Sequence, residues 1–214
     1  CCQSRAGRSS ARSAQQAHWG CAIMRGMSAS LEPRVEPDSK TPEPRRLQAQ
    51  PLSAKPLADY GWMMDIDQAF AGNAGHPINA GTSRRVDMPG TLSLHAQEGQ
   101  AQMTVFRARA QGVEGPWHLL ERHQWGSQTF VPLGPSHEGR PACILLVALG
   151  ASSPDETTLK AFVVGARQAF TLRPGTWHHP LIAVQESDFL VIERRGPRED
   201  CEVMHLSRPV QVWL

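Results

Sequence analysis

Arg173-Pro174-Gly175-Thr176-Trp177-His178-His179-Pro180-Leu181-Ile182-Ala183-Val184 is the stretch on which the reading of this chain turns. Its Pro-Gly pair signals a turn, and Leu181 to Val184 is an apolar run of strand character. Two adjacent histidines lie between them. Neighbouring side chains of an extended segment point to opposite faces. His178 and His179 therefore cannot share one interior, and the turn delivers a single histidine inward. A turn of this kind is a common way to build a reactive site in a β-barrel.

The surrounding sequence has the same short-strand rhythm. Gln168 to Leu172 and Asp188-Phe189-Leu190-Val191-Ile192-Glu193-Arg194 read as strands on either side, and Cys201 to Leu206 as a last one. Ala142 to Leu149 is almost wholly apolar between Pro141 and Gly150, as a buried central strand should be. Trp117 to His123 and Gln128 to Leu133 are two strands separated by Gly126-Ser127. Met103 to Arg109 alternates apolar and polar residues, the pattern of a half-buried strand. Arg46 to Leu52 opens the folded part. Residues 62–75 read as a loop. Two helices are expected. One runs over Ser53 to Tyr60, with Ser53 as N-cap and Gly61 as its stop. The other follows Ser153-Pro154-Asp155-Glu156, a capping-box pattern, with Leu159, Phe162 and Val163 on one helical face and Gly165 as its stop. Many short strands, frequent Gly/Pro turns and one or two short helices indicate an all-β fold, a barrel or jelly roll. Strands and helices do not alternate, so a βαβ fold is excluded. The chain carries neither Gly-x-Gly-x-x-Gly nor a P-loop.

Charge and composition exclude some classes of function. The 214 residues include 22 basic and 20 acidic ones, interspersed, for a net charge of +2. That balance argues against a dedicated nucleic-acid surface. No apolar run approaches the ~20 residues of a membrane span. The five cysteines, at 1, 2, 21, 143 and 201, show no paired spacing within the folded part. A reducing, cytoplasmic setting is expected, with Cys143 acting as a small buried hydrophobe. Residues 1–45 read as a disordered N-terminal extension and 46–214 as the β-barrel domain. Arg5, Arg8, Arg12 and Arg25 precede the first acidic residue, Glu32. That composition fits a transit peptide, but a native start at Met24 or Met27 is the preferred reading. Residues 31–45 are dense in proline and charge.

Glu121-x-His123-x-x-x-x-Gln128 is the second chemical feature. Glu121 and His123 are two apart on a strand and share a face. With His178 they resemble the cupin layout, in which a first motif supplies His-x-His and then Glu, and a second supplies a histidine after a Pro-Gly turn. Here Glu121 and His123 take the His-x-His positions and Gln128 the Glu position. His123, His178 and Gln128 are thus candidate metal ligands. The set is poorer in imidazole and carboxylate than a good transition-metal site. The competing readings are a hydrogen-bonded strand histidine for His123 and a solvated edge for Glu121. Lysines are few (Lys40, Lys55, Lys160), so anion binding falls to arginine. Arg85 and Arg194 are the candidates for holding a carboxylate through a planar fork.

Several runs, taken in order, are together similar to the ureidoglycolate lyases, formerly called ureidoglycolate hydrolases. They are Leu119-Leu120-Glu121-Arg122-His123, Gly126-Ser127-Gln128-Thr129-Phe130-Val131-Pro132, Val147-Ala148-Leu149-Gly150, Thr158-Leu159-Lys160-Ala161-Phe162, Gly175-Thr176-Trp177-His178-His179-Pro180-Leu181 and Asp188 to Arg194. Ile78-Asn79-Ala80-Gly81 and Asp200-Cys201-Glu202-Val203 fit as well. The similarity runs from about residue 46 to about 206. It implies a cupin-like β-barrel, a homodimer, and cleavage of (S)-ureidoglycolate to glyoxylate and urea in allantoin and purine degradation. It also implies a divalent metal, nickel in particular. On this reading His123 and His178 handle the substrate hydroxyl and Glu121 orients or donates. Arg85 or Arg194 clamps the carboxylate, while Gln128 and Asn79 bond the ureido group. Two other readings remain open: another cupin-type metalloenzyme acting on a small hydroxy acid, and a non-catalytic cupin-like binding protein.

Overall fold

The structure, a computed structural model, describes residues 42–134 and 141–214. The expected disorder of residues 1–45 falls almost wholly outside them. In chain order the elements are β1 (Arg45–Pro51), α1 (Ala54–Leu57), β2 (Gly61–Asp65), α2 (Ile66–Ala69), β3 (His76–Ile78), β4 (Ser83–Arg85), β5 (Gln100–Ala108) and β6 (Trp117–His123). Then come β7 (Gln128–Pro132), β8 (Pro141–Leu149), β9 (Asp155–Gly165), β10 (Gln168–Leu172), β11 (Trp177–His178), β12 (Ile182–Ala183), β13 (Ser187–Arg195) and β14 (Cys201–Trp213). The fold is all-β with two one-turn helices, in keeping with a cupin-like barrel.

Two sheets organise the chain. The first runs β11-β6-β14-β1-β9-β8-β12, and β11 also pairs with β8. That extra pairing closes six strands into a ring. Every ring strand contributes to its interior, which holds Ala49, Leu120, Ile144, Leu146, Ala148, Leu159, Ala161, Trp177, Val210 and Val212. Closure satisfies the sheet edges that would otherwise be exposed. The second sheet runs β2-β10-β7-β13-β5. A second core lies between it and the ring. Cys143, Leu145, Val147, Phe162 and Val164 meet Met63, Phe130, Phe170, Phe189 and Val191 there. β8 and β9 are thus buried on both faces, with even and odd residues serving different cores, which explains the unbroken apolar run of β8.

The helix expected after Ser153 is instead β9. Leu159 and Ala161 enter the ring while Phe162 and Val164 face the second sheet, a period of two, not 3.6. The Asp155 carboxylate does not cap a helix. It accepts from the Thr157 amide (3.0 Å) and hydroxyl (2.6 Å), a local turn that launches the strand. β8 on one side and β1 on the other then take up the backbone. Tertiary pairing overrides the local capping signal, helped by the β-branched Thr157, Thr158, Val163 and Val164.

The segment 62–75 likewise departs from the expected loop. It holds β2 and α2, and the Asp65 side chain accepts from the Gln68 amide at 3.0 Å. The first helix is real but short. Ser53 makes no side-chain capping bond, and Gly61 belongs to β2. A Cβ at Gly61 would lie 1.9 Å from the Thr171 carbonyl oxygen, so glycine is there to let β2 and β10 approach.

Candidate functional site

The site is built by β6, β11 and the connections at the same end of the sheets. Leu120 points into the ring, so Glu121 and His123 point out of it, toward the second sheet. His178 lies directly opposite Glu121 in the ladder and beside Val147 on the other side. Its neighbours Trp177 and His179 take the opposite face: Trp177 fills the ring, and His179 packs on Trp117 with ring centres 4.7 Å apart. Alternation along this one segment therefore separates the two histidines, as their adjacency requires. The turn is fixed to β6 by the Gly175 amide, which donates to the His123 carbonyl at 2.7 Å. Gly175 has φ of 80°, in the left-handed region that favours glycine.

One ligand atom each from Glu121, His123 and His178 lie within 4.8 Å of one another. The His178 Nδ1 sits 3.0 Å from the Thr176 carbonyl oxygen. A carbonyl only accepts, so the proton is on Nδ1 and the lone pair on Nε2. That Nε2 is 3.6 Å from Glu121 Oε1, is fully buried, and has no hydrogen-bond partner among the described residues. The other Glu121 oxygen lies 3.6 Å from the Cys201 thiol, which donates to it. His178 is 3% exposed and His123 is half-buried. Burial pushes both imidazoles down to about 4. Glu121 opposes the shift at His178 but does not overcome burial.

These observations test whether a divalent metal fits. Two neutral imidazoles and a carboxylate converge, and a backbone carbonyl sets the tautomer of one ligand, as supporting partners do in metal sites. An unpartnered lone pair points into the cluster. The donor set fits.

The burial of the histidines predicts a pH dependence of stability. Unfolded histidine titrates near 6.5, so between about 6.5 and 4 the unfolded chain binds the extra protons. Stability is therefore full above pH 6.5 and falls as pH drops toward 4, by up to about 1.4 kcal/mol per pH unit for each histidine. Denaturant midpoints measured from pH 7.5 to 4.5 should show this fall. It should be shallower in His123→Gln; an equal slope in that variant would rule out the buried imidazoles as its origin.

The remaining expected site residues divide into two groups. Gln128, on β7, faces the same inter-sheet space, opposite Leu172 and in step with Phe130. Its amide nitrogen donates to Glu193 Oε2 at 3.0 Å. Glu193 itself gave no signal as a site residue, although its alternation with Phe189 and Val191 places it on the core face of β13. Arg194, one residue on, points to the other face of β13. Its Nε donates to the Ala96 carbonyl (2.6 Å) and its Nη2 to the Gln97 carbonyl (2.7 Å), while Nη1 lies 3.6 Å from Asp200 Oδ2. Arg85 and Asn79 belong to the exposed β3–β4 hairpin, which pairs with neither sheet. Arg85 is paired there with Asp87 at 2.6 Å. Arg122 points into the ring end, 4.6 Å over Trp177 and 2.7 Å from Glu202, so Glu121-Arg122-His123 is not a solvated edge.

A cavity of about 580 Å³ lies beside this end, lined by Trp62, Met63, Gly90, Ser93, Arg173 and Pro174 among others. Arg173 and Pro174 immediately precede the Gly175 turn. Ser93 is tied to the β6–β7 connection by its amide, which donates to Ser127 Oγ at 2.9 Å.

Known proteins similar to this chain point to one family. The model of the ureidoglycolate lyase family matches residues 44–213. A ureidoglycolate lyase of Pseudomonas fluorescens (strain Pf0-1) is 33% identical over 159 residues, 74% of this chain and 90% of the relative. One from Burkholderia cepacia is 32% identical over 162 residues, 75% and 86% of the two chains. One from Stutzerimonas stutzeri is 31% identical over 171 residues, 79% and 95%. The matched span takes in both sheets and the whole Glu121–His123–His178 cluster, and with the ordered motifs of the sequence it places this chain in the ureidoglycolate lyase family.

Proposed function

We propose that the protein cleaves (S)-ureidoglycolate to glyoxylate and urea, with His178 as the base. The observation that carries this reading is the buried, unpartnered lone pair of His178 Nε2 facing Glu121 and His123. Ureidoglycolate is a carbinolamide that bears a carboxylate. Its cleavage needs the C2 hydroxyl proton removed and the departing urea nitrogen protonated. His178 Nε2 takes the hydroxyl proton as the C=O bond of glyoxylate forms. The C2–N bond breaks with its electron pair going to nitrogen, which receives a proton from an imidazolium of the site. A pKa near 4 keeps His178 neutral at pH 7, with its lone pair free, and makes its conjugate acid quick to give the proton up. Glu121 stabilises that imidazolium from 3.6 Å. With the His178 lone pair taken up as the base, Glu121 and His123 would hold a divalent ion beside it, nickel being the metal that the resemblance implies. Such an ion, when bound, supplies Lewis-acid polarisation of the substrate oxygen. For the carboxylate, the placement of Arg173 on the wall of the adjacent cavity favours it over Arg85 and Arg194. The test is urea release from (S)-ureidoglycolate by the full chain. Ammonia in place of urea, or no turnover with divalent metal supplied, would overturn the reading.

We further infer a cytoplasmic homodimer. β5 is an edge strand of the second sheet, and its outward Met103 and Val105 are 72% and 61% exposed. Long edge strands with apolar side chains are sites of chain-to-chain pairing. Met103→Lys with Val105→Glu should shift the protein from dimer to monomer in sedimentation velocity; a dimer that survives both changes would refute this face.

A further inference from the structure

We propose that Glu193 is a positioning residue that locks the Gln128 amide with its carbonyl oxygen turned into the site, making Gln128 Oε1 the acceptor for a ureido N–H. The inference rests on the proposed substrate and names the group that selects its ureido end.

The argument begins with what each group can do. An ionised carboxylate only accepts hydrogen bonds, whereas a glutamine amide offers a donating nitrogen and an accepting oxygen. Glu193 Oε2 lies 3.0 Å from one end of the Gln128 amide, so that end must be the nitrogen. The Glu193 carboxylate is itself braced: its Oε1 accepts from the Thr104 hydroxyl at 3.4 Å. Thr104, Glu193 and Gln128 come from three adjacent strands of the second sheet, so the relay stands on a rigid ladder. The consequence falls on Gln128 Oε1. That oxygen is buried and has no hydrogen-bond partner among the described residues, and the Gln128 side chain is 5% exposed. An unpaired buried carbonyl is costly unless a ligand completes it. It stands on the second sheet, facing the inter-sheet space across which the ring strands β6 and β11 carry Glu121, His123 and His178, and the short β6–β7 connection joins His123 to Gln128.

A ureido group presents N–H donors; a carboxylate or simple hydroxy acid does not offer them at that end. A site built to bond an N–H rejects analogues that lack it strongly, because its own acceptor stays unpaired. If residue 128 were glutamate, a second carboxylate would stand 3.0 Å from Glu193, and like charges at that distance cannot both ionise. Glutamine at the position where cupins carry glutamate is thus the partner that Glu193 requires.

The test uses Glu193→Gln in the full chain. The new amide can offer either end to Gln128, so the lock is lost while size is kept. The KM for ureidoglycolate should rise about tenfold, with kcat changed less than about threefold. N-carbamoylglycine, which keeps the ureido and carboxylate groups but lacks the hydroxyl, should lose inhibition by the same factor. Glycolate, which lacks the ureido group, should inhibit as before. Thr104→Val should show the same pattern at smaller size. Equal losses for N-carbamoylglycine and glycolate, or none for either, overturn the proposal. Should the wild type release no urea, the reading of the reaction fails. Binding of N-carbamoylglycine and glycolate by calorimetry still decides the role of Glu193, because neither ligand needs to react.

Discussion

His178→Ala is expected to lower kcat/KM for ureidoglycolate by about 10³-fold, whereas His179→Ala should leave it within a few-fold of wild type. A 10³-fold loss corresponds to about 4 kcal/mol of barrier, the size of a positioned general base. The two side chains are neighbours in sequence and differ only in the face they occupy. His178 points to Glu121 and His123, with its tautomer fixed by the Thr176 carbonyl. His179 packs edge-on to Trp117, and its Nδ1 lies 2.7 Å from the Pro180 carbonyl. Losing that aromatic contact should cost about 1 kcal/mol of stability, read in denaturant unfolding. Near-normal turnover by His178→Ala, or a larger loss at 179 than at 178, would refute the assignment.

Arg194→Ala is expected to cost about 3–5 kcal/mol of folding stability, a drop in melting temperature on the order of 10 °C for a domain of this size. The guanidinium is 8% exposed as a residue and bonds two backbone carbonyls of the 96–97 turn. Three glycines give it passage. A Cβ at Gly99, Gly126 or Gly196 would come within 2.4, 2.6 or 2.2 Å of Arg194 atoms. Its charge faces Asp200, whose other oxygen accepts from the Trp125 amide at 2.9 Å. Burial pushes the Asp200 carboxyl up, and Arg194 works against that shift. Removing the arginine leaves a buried carboxylate without its counter-charge and two carbonyls without donors. Combining Arg194→Met with Asp200→Leu should recover part of the loss, since the uncompensated charge then disappears. A carboxylate clamp would behave in the opposite way: KM would rise while the melting temperature held. That pattern would refute the strut.

These two residues show where sequence reasoning succeeds and where it stops. Trp177-His178-His179 after a Pro-Gly turn is local information: alternation alone dictates that one histidine leaves the face of the other. The spacing of Glu121 and His123 is local too, and the turn chemistry delivers them to one end. Strand patterns were equally legible at β5, β6, β7, β8, β10 and β13, because burial on one or both faces of a sheet writes itself as period two or as an apolar run. Arg194 was legible only as an arginine at a strand end. What distinguishes a strut from a clamp is the company of Ala96, Gln97 and Asp200, none of them adjacent to it in the chain.

The sequence by itself therefore determined the all-β class, through strand periodicity, and the family, through motifs that resemble it in order along the chain; near-neighbour spacing also put Glu121 and His123 on one strand face and His178 and His179 on opposite ones. Tertiary structure decided the rest. It made a strand of residues 155–165, because β8 and β1 offered backbone partners on both sides that a four-residue capping signal could not outweigh. It moved Arg85 and Asn79 onto a separate hairpin and set Glu193 behind Gln128, across a ladder spanning 65 residues of chain. Such contacts join groups far apart in sequence, and only the closing of the two sheets on one another brings them within the few ångströms over which hydrogen bonds and ion pairs act.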